Sequence, residues 1–207
     1  MMNAYLQIIA VVEMSITCAV LIIYLLQKLF HAELPTPVRI GLLLILGNVF
    51  FWPLGLPIEL PLAAYVRGVT GELSIVTMLL LWVTLLSPDR KSPFGFKVAI
   101  ALIAVMFYPL VLGFGMFDPY VWGYGSLPFY ASVIVFAIVC GLAGWTQGVW
   151  MISLAIVAWS LHWHESANLW DYLLDPFLAI WALYAIAQGI YQKRREKAQS
   201  GYLFRAG

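Results

Sequence analysis

Charge is scarce in this chain of 207 residues. Only 10% are Asp, Glu, Lys or Arg, where an average soluble domain carries about 25%. Disordered chains and nucleic-acid binders, which depend on charge, are excluded. Cysteine is scarcer still: Cys18 and Cys140 lie inside apolar runs and no CxxC occurs. A disulfide scaffold and the usual zinc and thiol-redox spacings are therefore not expected. The three histidines, His31, His162 and His164, fall at the ends of apolar runs, which argues against a bis-histidine haem inside a bundle. P-loop, GxSxG, GxGxxG and HExxH patterns are all missing, removing the chemistries they carry. The last apolar run has no lysine at its middle, so no retinal Schiff base is expected. The residue pattern indicates no metal site and names no cofactor.

What the chain has is apolar length. Hydrophobic residues make up 63% and the mean hydropathy is +0.92. This points to an all-α, polytopic membrane helix bundle. Seven apolar runs stand at about 4–27, 38–54, 62–86, 97–116, 128–144, 147–162 and 173–192, each read as a transmembrane helix or part of one. The first follows no basic n-region and is too long for a signal h-region, so it is read as a retained helix. Pro109 should kink the fourth. The fifth and sixth are short. As one helix they would be about 50 Å long, against a hydrocarbon core of about 30 Å, so they must turn back at Gly141, Gly144 and Gly148, either spanning or re-entrant. One transmembrane domain, 1–192, and a short basic cytoplasmic tail, 193–207, result.

The charges set the orientation. With the N-terminus outside, Lys28, Arg39, Arg90, Lys91, Lys97, Lys193, Arg194, Arg195, Lys197 and Arg205 all fall inside, ten of the eleven basic residues. The positive-inside rule then selects N-out and C-in, in a plasma (inner) membrane. The outer loops WPLGLPIELP, FGMFDPYVWGYGSLP and LHWHESANLWDYLLDP mix aromatics with acids and hold no Lys or Arg. They read as an interfacial aromatic belt, or as a surface for a lipid-linked or glycan ligand.

Two groups of residues carry possible chemistry. Glu13 and Glu72 should both lie about 14–15 Å from the outer surface, near the midplane, with Asn48 at similar depth. Arg67 lies nearer the outer surface. Intramembrane ionisable residues are functional candidates by default. The alternatives are a buried polar clamp fixing helix register, a proton or cation pathway, and a polar ligand pocket. Arg67 and Glu72 are five apart, about 140° around a continuous helix, and should pair poorly. Arg67 should instead reach Glu13 or snorkel outward.

The second group is His162, His164, Glu165, Asp171 and Asp175. A seventh helix starting near Ser166 would put Asp171 and Asp175 on one face. His164 and Asp171 suit general acid–base catalysis; the bland alternative is a solvated loop with an acidic helix start. His162, His164, Asp118, Asp171, Asp175, Trp122, Tyr124, Trp163 and Trp170 are expected to line one outward-opening cavity. With no basic residue in these loops, a cationic or hydroxyl-rich ligand is expected over a phosphate. Three functions fit. The first is a component of envelope lipid or glycan biogenesis. The second is a small transporter or channel using Glu13 and Glu72. The third is a structural subunit bound to another membrane protein.

Overall fold

The computed structural model describes residues 2–31, 33–55, 58–86 and 92–203. Asp89, Arg90, Lys91 and Arg205 lie outside these. The fold is all-α and 80% helical. Its elements are α1 (Met2–Phe30), α2 (Thr36–Phe51), a hairpin of β1 (Pro53–Gly55) and β2 (Ile58–Pro61), α3 (Leu62–Thr70), α4 (Ile75–Leu86) and α5 (Phe94–Pro109). Then come a wide turn over Leu110–Phe114, a tight one over Pro119–Tyr124, α6 (Leu127–Leu142), α7 (Thr146–Ser160), α8 (Leu169–Leu173) and α9 (Pro176–Leu203). Two helical stretches, Tyr5–Phe30 and Phe94–Phe114, are long and apolar enough to cross a membrane; Thr36–Phe51, Leu127–Leu142 and Thr146–Ser160 are apolar but shorter.

Several helix ends follow from local chemistry. Pro109 closes α5 because it has no N–H to continue the ladder, and the chain leaves through the wide turn with Gly113 at φ 86°. Between α6 and α7, Gly144 takes φ 74°. Trp145 N then donates to Cys140 O and Gly144 N to Gly141 O, both at 2.9 Å, the Schellman pattern that ends a helix on glycine.

One long run breaks where a continuous helix was expected, and one expected helix start is displaced. Run 62–86 divides into α3 and α4, because Gly71 takes φ 74° after Thr70 and the chain stays non-helical through Ser74. The last run, placed at 173–192, holds the start of a helix at Pro176, and a helix start near Ser166 is not found. Asn168 caps the short α8, accepting from Trp170 N at 2.9 Å, and Leu174 is extended. A new helix then opens at Pro176, so Asp171 and Asp175 belong to different elements. It continues to Leu203, so residues 193–203 prolong α9.

The main core lies among α4 to α9. Its buried positions include Ala101, Ala137, Ala155, Ala158 and Ala182, small residues that let helices approach closely. The outward positions are large and apolar: Leu102, Val105, Met106, Ile134, Ile138, Trp150 and Ile180 are exposed. A soluble monomer seldom presents so much apolar surface.

Candidate functional site

The break after α3 builds the site. Gly71 N donates to Arg67 O at 2.8 Å, closing the helix. The chain then turns, and Glu72 comes back onto the Arg67 guanidinium as an ion pair. The poor pairing expected of residues five apart holds only for a continuous helix, and here the helix has ended between them. Non-helical backbone between packed helices needs other partners for its polar groups. Gly71 and Glu72 line a cavity, and Ser74 N is satisfied by Asp175 Oδ2 at 2.7 Å.

The segment after α7 folds back onto this break. His162, the turning residue, has φ 52°. Trp163 Nε1 donates to Glu13 Oε1. His164 is only 5% exposed. Its Nε2 lies 3.7 Å from Glu13 Oε2 and its Nδ1 lies 4.0 Å from Glu72 Oε2. Glu165 Oε1 accepts from Arg67 at 3.0 Å, while Glu165 N donates to Glu72 Oε2 at 3.2 Å. One short loop thus joins α1 to the end of α3. The His164 ring stacks on Tyr172, centroids 4.7 Å apart. The Tyr172 hydroxyl accepts from His164 N at 3.0 Å and lies 3.0 Å from Ser166 O. Burial pushes that hydroxyl above the ordinary tyrosine range.

Two voids flank the Arg67–Glu72 pair. Behind it is a chamber of about 10 Å³ lined by Glu13, Arg67, Glu72 and His164 with apolar neighbours, room for one water. Arg67 Nε and His164 Nδ1 are buried here without a hydrogen-bond partner among the described residues. In front is a cavity of about 690 Å³, lined by Arg67, Glu72, Glu165, Asp171 and Asp175 with Gly68, Tyr108, Tyr120 and Ser166. Four carboxylates face one guanidinium, so its potential is negative.

Asp171 accepts from the Tyr120 hydroxyl at 2.8 Å and from Ser166 Oγ. Burial, then the Asp171 hydrogen bond, raises the Tyr120 hydroxyl above its ordinary value. It therefore remains a donor. Asn168 Nδ2 and Trp170 Nε1 donate to Tyr120 O and Pro119 O at 2.9 and 3.0 Å, sewing α8 to the tight turn.

Glu13, Arg67, Glu72 and His164 therefore come together around the chamber, and Arg67, Glu72, Asp171 and Asp175 around the cavity. His164 and Asp171 are on opposite sides of the Arg67–Glu72 pair. The cavity wall differs from the expected set. Asp118 caps the tight turn through Tyr120 N, and Trp170 is packed against Phe107 and Phe129 at 4.4 Å. His162, Trp122, Tyr124 and Trp163 also lie off the wall. Asn48 is spent within its own helix, donating to Leu44 O at 2.8 Å and accepting from Trp52 Nε1 at 3.3 Å. A cation does reach the cavity, because Arg67 comes from α3 and not from the acidic, aromatic loops. Tyr120 and Ser74 carry contacts that the pattern did not single out; only Ser74, three before Thr77 at a helix start, had a local capping signal. Among the described residues no group of three His, Cys, Asp or Glu is placed to hold a metal. Compared with family models, curated proteins and solved structures, the chain matches none.

Proposed function

We propose that this chain is a multi-pass protein of the inner membrane, with seven spans, its N-terminus outside and its C-terminus inside, that binds a lipid or glycan of the cell envelope at its outer face. The observation that carries the reading is the acidic cavity at the break between α3 and α4. Its volume of about 690 Å³ is in the range of small-molecule sites. Carboxylates and tyrosine hydroxyls suit sugar hydroxyls or an amine. Phosphate is disfavoured, because Arg67 is already held by Glu72 and Glu165. The charge pattern supports the orientation. Lys193 lies over the Phe94 ring at 5.6 Å, so basic residues at the start of α5 and late in α9 share one end, while the acidic cavity uses the start of α9.

Gly68→Trp tests this reading. Gly68 lines the cavity, and a Cβ there meets nothing within 4 Å, so a bulky side chain can branch from this position beside the void. Lipids co-purifying with the native protein should include a hydroxyl- or amine-rich species that the variant lacks. Identical lipid profiles would overturn the proposal. A second reading, cation transport, is favoured by the same helix break, since discontinuous helices form ion sites in transporters, and by the Glu13–His164–Glu72 line. Cation uptake into vesicles that Glu72→Gln abolishes would select it.

A further inference from the structure

A separate groove, distinct from the acidic cavity, runs between α1, α4 and α7. It has a volume of about 410 Å³. Val12 and Ile16, Met78 and Trp82, and Val157 are among its walls. Val12 and Val157 are exposed, so the groove opens sideways on the apolar flank of the bundle. Its single ionisable wall residue is Glu13. Arg67, which lines the adjoining chamber with Glu13, is committed to Glu72 and Glu165. Among the described residues, one Glu13 oxygen accepts the neutral indole N–H of Trp163. Its other oxygen is 3.7 Å from His164 Nε2, beyond a good hydrogen bond. An apolar trough thus ends at a carboxylate, 13% exposed, that forms no ion pair with a Lys or Arg among the described residues. Burying such a charge is costly unless something pairs with it.

We infer that this groove is a binding site for a single-chain amphiphile whose polar end is a protonated amine, the alkyl chain lying along α1, α4 and α7 and the ammonium on Glu13. The chemistry selects this occupant over others. An ordinary phospholipid would bring a phosphate beside Glu13, with no Lys or Arg in the groove wall to receive it. A fatty acid would set carboxylate against carboxylate. A neutral chain fills the trough but leaves Glu13 as it was. The site is independent of the outer cavity: the two voids share no wall residue, and only a water-sized chamber separates them.

The test uses tryptophan fluorescence, because Trp82 and Trp163 both line the groove. The purified full-length protein in detergent is titrated with a long-chain amine brominated at its tail, and with the matching alcohol and carboxylate. Bromine quenches an indole on contact. The amine should quench at a concentration about tenfold below the alcohol, the gain of one charge-assisted hydrogen bond, and the carboxylate should be weaker than both. Trp82→Phe should remove part of the quenched signal. Glu13→Gln should make amine and alcohol equal. Val157→Trp, which fills the groove away from the ion pairs, should abolish saturable quenching by the amine. Equal quenching by amine and alcohol in the native protein would overturn the inference and leave ordinary lipid contact. So would a tenfold preference that survives Glu13→Gln, or amine quenching that survives Val157→Trp. Gly68→Trp should leave the amine titration unchanged. If it abolishes quenching, the amine sits in the outer cavity, and the groove inference falls while the cavity reading stands.

Discussion

Asp175 joins two helix starts that are 101 residues apart in the chain: Oδ2 accepts from Ser74 N and Oδ1 from Leu178 N, each at 2.7 Å. The first bond fixes the chain where it re-enters α4. The second caps the opening turn of α9. A residue read from sequence as a ligand candidate thus also clamps the floor of the cavity it lines. Asp175→Asn keeps one acceptor oxygen but sets an NH2 group against the other N–H, and should cost about 1–2 kcal/mol. Asp175→Ala leaves a buried Ser74 N–H without a partner and removes a cap, together about 2–3 kcal/mol. Thermal unfolding in detergent should rank native, Asn and Ala in that order. An alanine variant as stable as native would mean the clamp carries no load.

Arg67 holds Glu72 and Glu165 together, so its loss leaves two carboxylates facing each other beside a buried histidine. Removing one partner of a fully buried pair typically costs about 3–5 kcal/mol. Arg67 and Glu72 are 21% and 22% exposed, so solvent screening reduces this to about 2 kcal/mol. Lys97 makes the useful comparison. It lies 5.8 Å over the Trp181 ring, a contact of about 0.5–1 kcal/mol when exposed. Arg67→Leu should therefore lower the unfolding temperature more than Lys97→Leu. The reverse order would show that the ion pair is a surface feature.

Much of the helix plan was legible because its signals are local. Pro37, Pro93 and Pro128 sit at helix starts, and Gly144 ends α6 by a conformation that glycine reaches freely. The break at Gly71 was not legible. Glycines are common in apolar helices, and this one adopts φ 74° in a structure where Asp175 captures Ser74 and Glu165 captures Arg67, both distant in sequence. Convergence of Glu13 and Glu72 on His164 depends likewise on contacts spanning up to 150 residues. Depth counting put the two glutamates at one level. It had no means of saying that a loop would fold back between them. The division between α8 and α9 did have a signal, Asp175 followed by Pro176, a capping residue and a first-turn proline. An expected helix start near Ser166 passes over it.

Tyr120 gives a pH dependence with a definite sign. Its hydroxyl is raised above the ordinary value of 10.0 by burial first and then by Asp171. A folded-state value above the unfolded one means that protonated Tyr120 stabilises the fold fully below pH about 10, and that this contribution is lost as pH rises beyond it. The native protein should therefore lose stability faster than Tyr120→Phe between pH about 10 and 11. Denaturation midpoints taken at several pH values for both proteins measure the difference. Parallel curves would show that the Tyr120–Asp171 bond is open in solution.

The orientation can be tested at two serines. Ser126 precedes α6, next to the tight turn that shares Asp171 with the acidic cavity. Ser92 precedes α5 at the opposite end, where Phe94 meets Lys193. The positive-inside rule counts lysine and arginine flanking the spans, and ten of the eleven lie on the Ser92 side in the proposed arrangement. Cys18 and Cys140 are buried, so a cysteine introduced at either serine reports its own side with little background. Ser126→Cys should react with a membrane-impermeant maleimide on intact cells. Ser92→Cys should react only after permeabilisation, and a reporter fused after residue 205 should be active in the cytoplasm. Labelling of Ser92→Cys from outside would invert the topology and place the acidic cavity on the inner face. Labelling of both from one side would instead mean that α5 with its wide turn does not cross. The apolar length of Phe94–Phe114 argues against that outcome, because a stretch of about 20 such residues matches the hydrocarbon thickness and a shallow placement would strand its apolar flank in water.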